Sequence, residues 1–512
     1  MIMKIYAICA SEETDCLETI ESYFESKEIE LVTNFNQIGS HNDCVVVSHS
    51  TIPRLKEFNL SNFTNLYLYH SKNIVLANDE KSLLDLLEDA IKHENWKRAK
   101  GINDLLIDIN FIYRKTLLSS MPDYLQIETT SFCNAKCIMC SHYFSDNKGA
   151  AHLGDSTIEH MEDALQLSRT ISLNGMGEPF ISDRLPNQID YYASMGNKIV
   201  TNTNLSVLDE GLINRINKHF EWIEVSCDGA TKETYESIRK NLSFDTFLKN
   251  LFVLKERCPH VRKHIATVVM RQNVHEMPDL VKLACDAGAS IITFMTLNSN
   301  IVIQNQKDEM RFFPKVLEYY SVKAVEMGEK CGIPVIVPNM GMLDRSISYE
   351  EIEDELHLMK QTPFFKDDSE LENMKRIASV VSTYLESHDE IQRDTKASDV
   401  RCCGVCDWLL KNSYIDLNGN VAMCCRNQSF HTGNVNEAGS FSAVWNSSFY
   451  QKLREIFYSG FVPEACLKCG LIESGNLKFL NVNIDRTFYI DPEYKTRQKD
   501  TLKALLEESD NQ

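Results

Sequence analysis

The sequence predicts an α/β protein: a partial (β/α)6 TIM-like barrel set between a small N-terminal α/β domain and a C-terminal cysteine-rich module. Two observations carry this reading. Between about Asp123 and Asn300, six strand-like runs alternate with six helix-like runs, the pattern of a parallel sheet with crossover helices. Outside that window the pattern changes, and cysteines gather in two places, near residue 135 and beyond residue 400.

Residues 1–115 read as a separate domain of receiver-like or Rossmann-like type. Its strand candidates are Lys4–Ala10, Cys44–Ser48, Asn65–His70 and Asn73–Leu76. Ser11–Ser26 and Glu80–Lys100 carry apolar residues at helical spacing, as in Leu83, Leu84, Leu87 and Ile91. No glycine fingerprint for a dinucleotide phosphate is present there, so a docking or scaffolding role is expected. The barrel, residues 122–300, has strand candidates Tyr124–Thr130, Thr170–Met176, Lys198–Asn204, Trp222–Cys227, His264–Met270 and Ser290–Thr296. The helices between them are Ser156–Ser168, Pro186–Ser194, Asp209–Lys218, Lys232–Lys240 with Phe244–Arg257, and Met277–Ala287. Ligands of such barrels bind at the carboxyl ends of the strands. Residues 301–400 read as an acidic helical connector or lid with one strand candidate, Gly332–Pro338. Residues 401–475 form the cysteine-rich module, and 476–512 a tail.

The chain has 512 residues, 43% hydrophobic and 25% charged, which is ordinary for a globular protein of two to four domains. A net charge of −20 repels polyanions and argues against nucleic acid or an anionic membrane as main partner. No apolar run of transmembrane length and no export signal is apparent, so a cytoplasmic protein is expected. In that compartment, 17 cysteines favour metal ligation over disulfides.

The tightest chemical constraint is LQIETTSFCNAKCIMCSHYF, residues 125–144, where Cys133, Cys137 and Cys140 stand at C-x3-C-x2-C spacing after a strand-like run. Three thiolates can hold three irons of a [4Fe-4S] cube and leave the fourth open; a structural zinc site would want a fourth ligand, and His142 is poorly spaced to supply it. Phe132, Ile138, Met139 and Tyr143 would keep water from the sulfurs.

This spacing resembles that of the radical S-adenosylmethionine (SAM) superfamily. The resemblance implies that SAM chelates the open iron through its amino and carboxylate groups. It further implies that one electron cleaves the sulfonium to a 5′-deoxyadenosyl radical, which takes a hydrogen atom from substrate. An electron donor such as flavodoxin or ferredoxin would be a partner. Gly175-Met176-Gly177-Glu178-Pro179 resembles the family's GGEP segment, with Met176 in place of a glycine, and implies contact with the cofactor's amino group. Thr201-Asn202-Thr203-Asn204 suits ribose hydroxyls. Ser226-Cys227-Asp228-Gly229 ends the fourth strand, and the resemblance places Ser226 and Asp228 near the ribose and Arg239 at the cofactor carboxylate. Cys227 is a candidate catalytic hydrogen-atom donor, as in some epimerases of the superfamily; a small buried hydrophobe is the alternative.

In the C-terminal module, Cys406, Cys424, Cys466 and Cys469 could fill one tetrahedral zinc or all corners of a second cluster. The stretch CDWLLKNSYIDLNGNVAMCCRN resembles the SPASM/twitch module, which implies one auxiliary [4Fe-4S] cluster, with Cys402, Cys403 and Cys425 as spare thiols. A fully ligated cluster suits electron transfer, so oxidation of substrate leads over epimerisation. The expected substrate is a sugar or aminocyclitol-like small molecule; the alternatives are a peptide, making the protein a peptide maturase, and a non-catalytic zinc-binding interaction protein.

Overall fold

The computed structural model describes residues 5–8, 20, 29–31, 44–48, 66–70, 73–77, 79–140, 142, 152–297, 308–338, 343–361, 397–403, 406–425, 427–463, 466 and 483–484. The N-terminal domain contributes β1 (Ile5–Ile8), β2 (Ile29–Leu31), β3 (Cys44–Ser48), β4 (Leu66–His70) and β5 (Asn73–Leu76). Their order is 2-1-3-4-5, parallel except for the β4–β5 hairpin, a doubly wound pattern. β2 had no counterpart among the expected strands, and the Ser11–Ser26 helix lies outside the described residues except Ile20.

The single expected helix Glu80–Lys100 is two, Glu80–Lys92 and Trp96–Ile112. Glu94 takes φ +51°, and the Asn95 side chain caps the second helix by accepting from the Arg98 N–H. That second helix is buried on nearly all sides, because one face meets the N-terminal sheet and the other meets the barrel. Its polar residues are satisfied across the junction. Lys100 donates to the Ser168 carbonyl, Asn103 clasps the Met121 backbone, and Arg169 pairs with Asp104. Ser168, Arg169 and Met121 immediately precede barrel strands, so the N-terminal domain is fastened to the barrel's amino-terminal face.

The barrel strands are β6 (Tyr124–Ile127), β8 (Thr170–Leu173), β9 (Lys198–Thr203), β10 (Phe220–Ser226), β12 (Arg262–Val269) and β13 (Ile291–Thr296), all parallel neighbours; β7 (Lys136–Cys137) and β11 (Arg239–Lys240) form a separate two-stranded pair between them in the chain. Each of the six expected strands is present; most stop short at the carboxyl end where the chain turns into a loop, and β10 and β12 begin two residues earlier, at Phe220 and Arg262. Leu125, Ile127, Ile171, Leu173, Ile199, Ile223, Val225, Ile265 and Ile292 face the helices and form the core. The alternate positions face the barrel interior and are mostly polar.

The connector completes the barrel instead of merely covering it. Helix Pro314–Cys331 packs on Met277–Asp286, and β14 (Val335–Ile336) pairs parallel with β13, making a seventh βα unit. Arg271, at the end of β12, is buried against Asp308 at 2.9 Å and donates to the Met359 carbonyl, which ties helix Glu353–Gln361 to the strand end. The acidic tract from Lys366 to Lys375 lies outside the described residues.

In the C-terminal module, β15 (Ala397–Cys403) pairs antiparallel with β19 (Phe461–Pro463) and β20 (Asn483–Ile484). β16 (Asn412–Ile415), β17 (Asn420–Cys424) and β18 (Asn427–Asn434) form a meander, and β16 pairs parallel with β6. The barrel and this module therefore share one ten-stranded sheet. Buried Arg454 lies over the Trp445 and Tyr450 rings and donates to the carbonyls of Leu409, Thr116 and Trp445, closing the module onto the segment that enters the barrel. Among the described residues no helix is long and apolar enough to cross a membrane.

Burial, with Arg169 nearby, pulls the Lys100 ammonium down to about 7 against the opposing pull of Asp123 and Asp104. The unfolded chain then binds more protons than the native one between about pH 7 and 10.5, so stability rises with pH across that window. Chemical denaturation of Lys100→Met should lack this rise, and the variant's advantage over wild type should be largest near neutral pH and shrink as the medium becomes alkaline.

Candidate functional site

The cysteine loop follows β6 and is stitched to the loop after β10. β7 pairs with β11, placing Cys137 opposite Arg239, and the Ile138 N–H donates to the Ile238 carbonyl at 3.0 Å. Cys137 is 8% exposed, while Cys133 and Cys140 are half-buried. Each of the three thiols lies within the others' electrostatic reach. Burial pushes the Cys133 thiol up to about 11 and Cys137 up to about 12, partly offset by the Arg239 guanidinium. Ile138 and Met139 pack with Ile238, Met270 and Leu297 into a small apolar cluster beside the loop. Phe132, expected to shield the sulfurs, is 53% exposed and edges onto His152, and Tyr143 lies outside the described residues.

The glycine loop lies directly on the cysteine loop. A Cβ at Gly177 would come within 2.2 Å of the Thr130 carbonyl and 2.6 Å of the Phe132 carbonyl, so only glycine allows the approach. Glu178, 4% exposed, donates its N–H to the Phe132 carbonyl. Its carboxylate accepts from the Thr203 hydroxyl (2.6 Å), the Asn204 N–H (2.7 Å) and the Phe180 N–H (3.1 Å). Glu178 thus pins the second strand end to the third, and its oxygens are largely committed. Asn204 reaches back to the cysteine loop, donating to the Asn134 side chain at 3.0 Å, and Asn134 donates to Ser206 at 2.8 Å. Leu205 follows at φ +54°, a strained position held by Asn250 and Thr203.

Asp228 and Arg239, expected at the cofactor's ribose and carboxylate, are joined to each other. Their charged groups meet at 2.6 Å with both side chains buried, Arg239 also donates toward the Cys137 sulfur at 3.9 Å, and Asp228 accepts from the Val268 N–H at 2.7 Å. Burial opposes the guanidinium charge, and the carboxylate beside it more than restores it. Asn202 and Ser226 remain half-exposed on the interior face, where Asn202 donates to Glu224 at 2.5 Å.

The second cysteine site lies at the other end of β6. Cys406 caps the turn Asp407–Leu409, which touches both strands of the β16–β17 hairpin, and Cys424 ends β17. Cys466 is buried with its sulfur 3.9 Å from that of Met423. Cys406, Cys424 and Cys466 pack against one continuous core, and Cys469 lies outside the described residues. Trp408 edges onto Tyr124 at the start of β6, and Cys425 is close enough to influence the hydroxyls of Tyr124 and Tyr414. Among the described residues no three His, Cys, Asp or Glu side chains close on a single ion.

Residues 127–284 match the family model of the radical SAM superfamily, and residues 406–470 match that of an iron-sulfur cluster-binding domain, SPASM. The chain carries a radical SAM domain joined to a SPASM domain. Among curated proteins, the mycofactocin maturase MftC of Mycolicibacterium smegmatis is 27% identical over 173 residues, which span 33% of this chain and 43% of that protein; MftC of Mycobacterium tuberculosis aligns at the same identity. The chain therefore spans less than half the length of the curated relatives it matches. Among solved structures, Streptococcus suis SuiB bound to precursor peptide SuiA aligns over 77% of this chain and 83% of that one, at 14% identity and a TM-score of 0.46. Native anSMEcpe with bound AdoMet aligns over 68% and 86%, at 15% identity and a TM-score of 0.42.

The radical SAM and SPASM domains imply a SAM-binding [4Fe-4S] cluster and auxiliary clustering, and the residues present fit such groups. Three thiols on one half-buried loop, with an apolar flank and a guanidinium beside them, suit a cluster held at three corners; in the SPASM domain, cysteines from three segments meet on the core. Cys227, the candidate hydrogen-atom donor, is buried in the core cluster, and its thiol donates to the Gly229 carbonyl. Two carboxylates went unread in the sequence. Glu224 faces the interior and burial raises its proton affinity; Glu128 lies under the glycine loop. Alternation along FEWIEVS, which puts Trp222, Glu224 and Ser226 on one face, was the available signal for the first. The second stands one residue past β6, in phase with Tyr124 and Gln126.

Replacing Gly177 by alanine forces the two loops apart. G177A should lose about 1–3 kcal/mol of stability and fall below wild type in iron retained at the first cysteine site, read by denaturation and by iron analysis of an anaerobically reconstituted sample.

Proposed function

We propose that this protein cleaves SAM reductively and removes a hydrogen atom from an unactivated carbon of a peptide. The observation that carries the reading is the seating of the three-cysteine loop on the glycine loop at the carboxyl ends of the strands. When bound, the first cluster and SAM together supply the 5′-deoxyadenosyl radical. Cys133, Cys137 and Cys140 would hold that cluster. Cys406, Cys424, Cys466 and Cys469 would hold the auxiliary one.

The chain's own residues prepare the chamber. Gly175, Met176 and Gly177 present backbone beside the cysteine loop, where the amino group of SAM would lie, while Glu178 fixes that loop by its three hydrogen bonds. Asn202 and Ser226 present polar groups at strand ends, suited to ribose hydroxyls. Below them Gln126, Ser172 and Glu224 line the interior, and Trp222 and His264 stack at 5.0 Å beside them. Such a lining can fix a polar segment of substrate by hydrogen bonds and stacking.

A peptide substrate displaces the small-molecule expectation because the aligned curated relatives are maturases. Oxidation remains the outcome we favour, since an auxiliary cluster beside the chamber would take the second electron. The electron donor we propose is a flavodoxin or ferredoxin.

Anaerobically reconstituted protein given SAM and a strong reductant should release 5′-deoxyadenosine. Cys137→Ala should abolish release while Cys424→Ala keeps it, and colourless protein that contains zinc and leaves SAM intact would sink the proposal. Adding candidate peptides encoded beside this gene should raise 5′-deoxyadenosine output and change the peptide's mass, whereas stimulation by sugars alone would overturn the peptide reading.

A further inference from the structure

Glu128 stands where three parts of the site meet. It is the first residue past β6, and its N–H donates to the Ile415 carbonyl at 2.9 Å, extending the β6–β16 ladder to the turn of the SPASM hairpin. Its carboxylate accepts the Met176 N–H at 2.7 Å, inside the glycine loop, and also the Leu417 N–H in the hairpin turn. The side chain fills the space over Gly175, where an added Cβ would come within 2.4 Å of its Cγ. It is 6% exposed.

Both partners of that carboxylate are rigid. Asp416 closes the hairpin turn by accepting from the Asn418 and Asn420 N–H groups, and Gly419 takes φ +81° against Asn436. The glycine loop is fixed on its far side by Glu178. A single carboxylate accepting one N–H from each therefore sets the distance between the two loops. Nothing neutral of the same shape does so, because an amide has one accepting oxygen and would turn its own N–H groups toward the second donor.

We infer that Glu128 is a positioning residue that holds the SAM-contacting glycine loop in register with the SPASM hairpin, so that SAM binding and the placement of the auxiliary site depend on one side chain. This rests on the radical SAM reading above. It gives the SPASM domain a direct hold on the cofactor pocket, separate from any role in electron transfer. Gly175 belongs to the same device, since its lack of a side chain leaves room for the carboxylate.

The test uses the full chain, reconstituted with iron and sulfide, and compares wild type, Glu128→Gln and Gly175→Ala. Equilibrium binding of radiolabelled SAM should weaken about tenfold or more in each variant, while iron content stays at the wild-type level. The double variant should bind SAM no worse than the weaker single one, because both changes break the same contact. Amide exchange should rise at Met176 and Leu417 together in E128Q. Wild-type SAM affinity in E128Q, or faster exchange at those amides without loss of affinity, would overturn the inference and leave Glu128 a fold residue. If E128Q does not fold, G175A alone decides by the same two readings. Failure of wild type to bind SAM would instead overturn the underlying reading, and the inference with it.

Discussion

The buried pairing of Asp228 with Arg239 governs the carboxyl face of this barrel. Arg239 carries a full charge into the buried interior, and only the carboxylate beside it makes that tolerable; removing either partner of such a pair costs about 3–5 kcal/mol. Because Arg239 also faces the Cys137 sulfur and its backbone pairs with the Cys137 strand, the same ion pair fixes the cysteine loop over the strand ends. Asn273 continues the network, donating to the Asp228 and Val268 carbonyls, and the neighbouring Arg271 carries it to Asp308 and helix Glu353–Gln361. The loop that would hold the first cluster is thereby coupled to the connector helix.

The shared ten-stranded sheet has an equally direct consequence. Strand β16 adds to the edge of β6, so the SPASM module is positioned by backbone hydrogen bonds and not by a flexible linkage. The chain leaves one end of β6 into the cysteine loop, while Tyr124 at the other end meets Trp408, two residues past Cys406. A four-residue strand spans on the order of 13 Å, which sets the scale of the interior between the two sites. The N-terminal domain sits behind that interior. Its buried helix Trp96–Ile112 joins the amino-terminal face, opposite the strand ends where the cysteine loop lies.

Much of this was legible in order along the chain. Period-two and period-3.6 patterns marked six barrel strands and their helices because those elements bury one face or both against a common core, and the cysteine spacings marked two metal-binding segments because a cluster constrains neighbouring residues directly. Patterning failed where capping and chain reversal decide structure, as at Glu94 and Asn95, and for the three-residue strand β2, too short to show a period.

The sequence by itself determined the barrel, the three-cysteine loop and the cysteine-rich module, since each depends on residues close together in the chain. Only the tertiary structure decided that Asp228 and Arg239 face each other, that Cys227 lies in the core, that Glu128 joins two loops, and that the SPASM hairpin extends the barrel sheet. Those facts turn on which side of a strand a residue takes and on contacts between segments up to several hundred residues apart. Desolvation and hydrogen-bond satisfaction settle them, and both act only once the chain is packed.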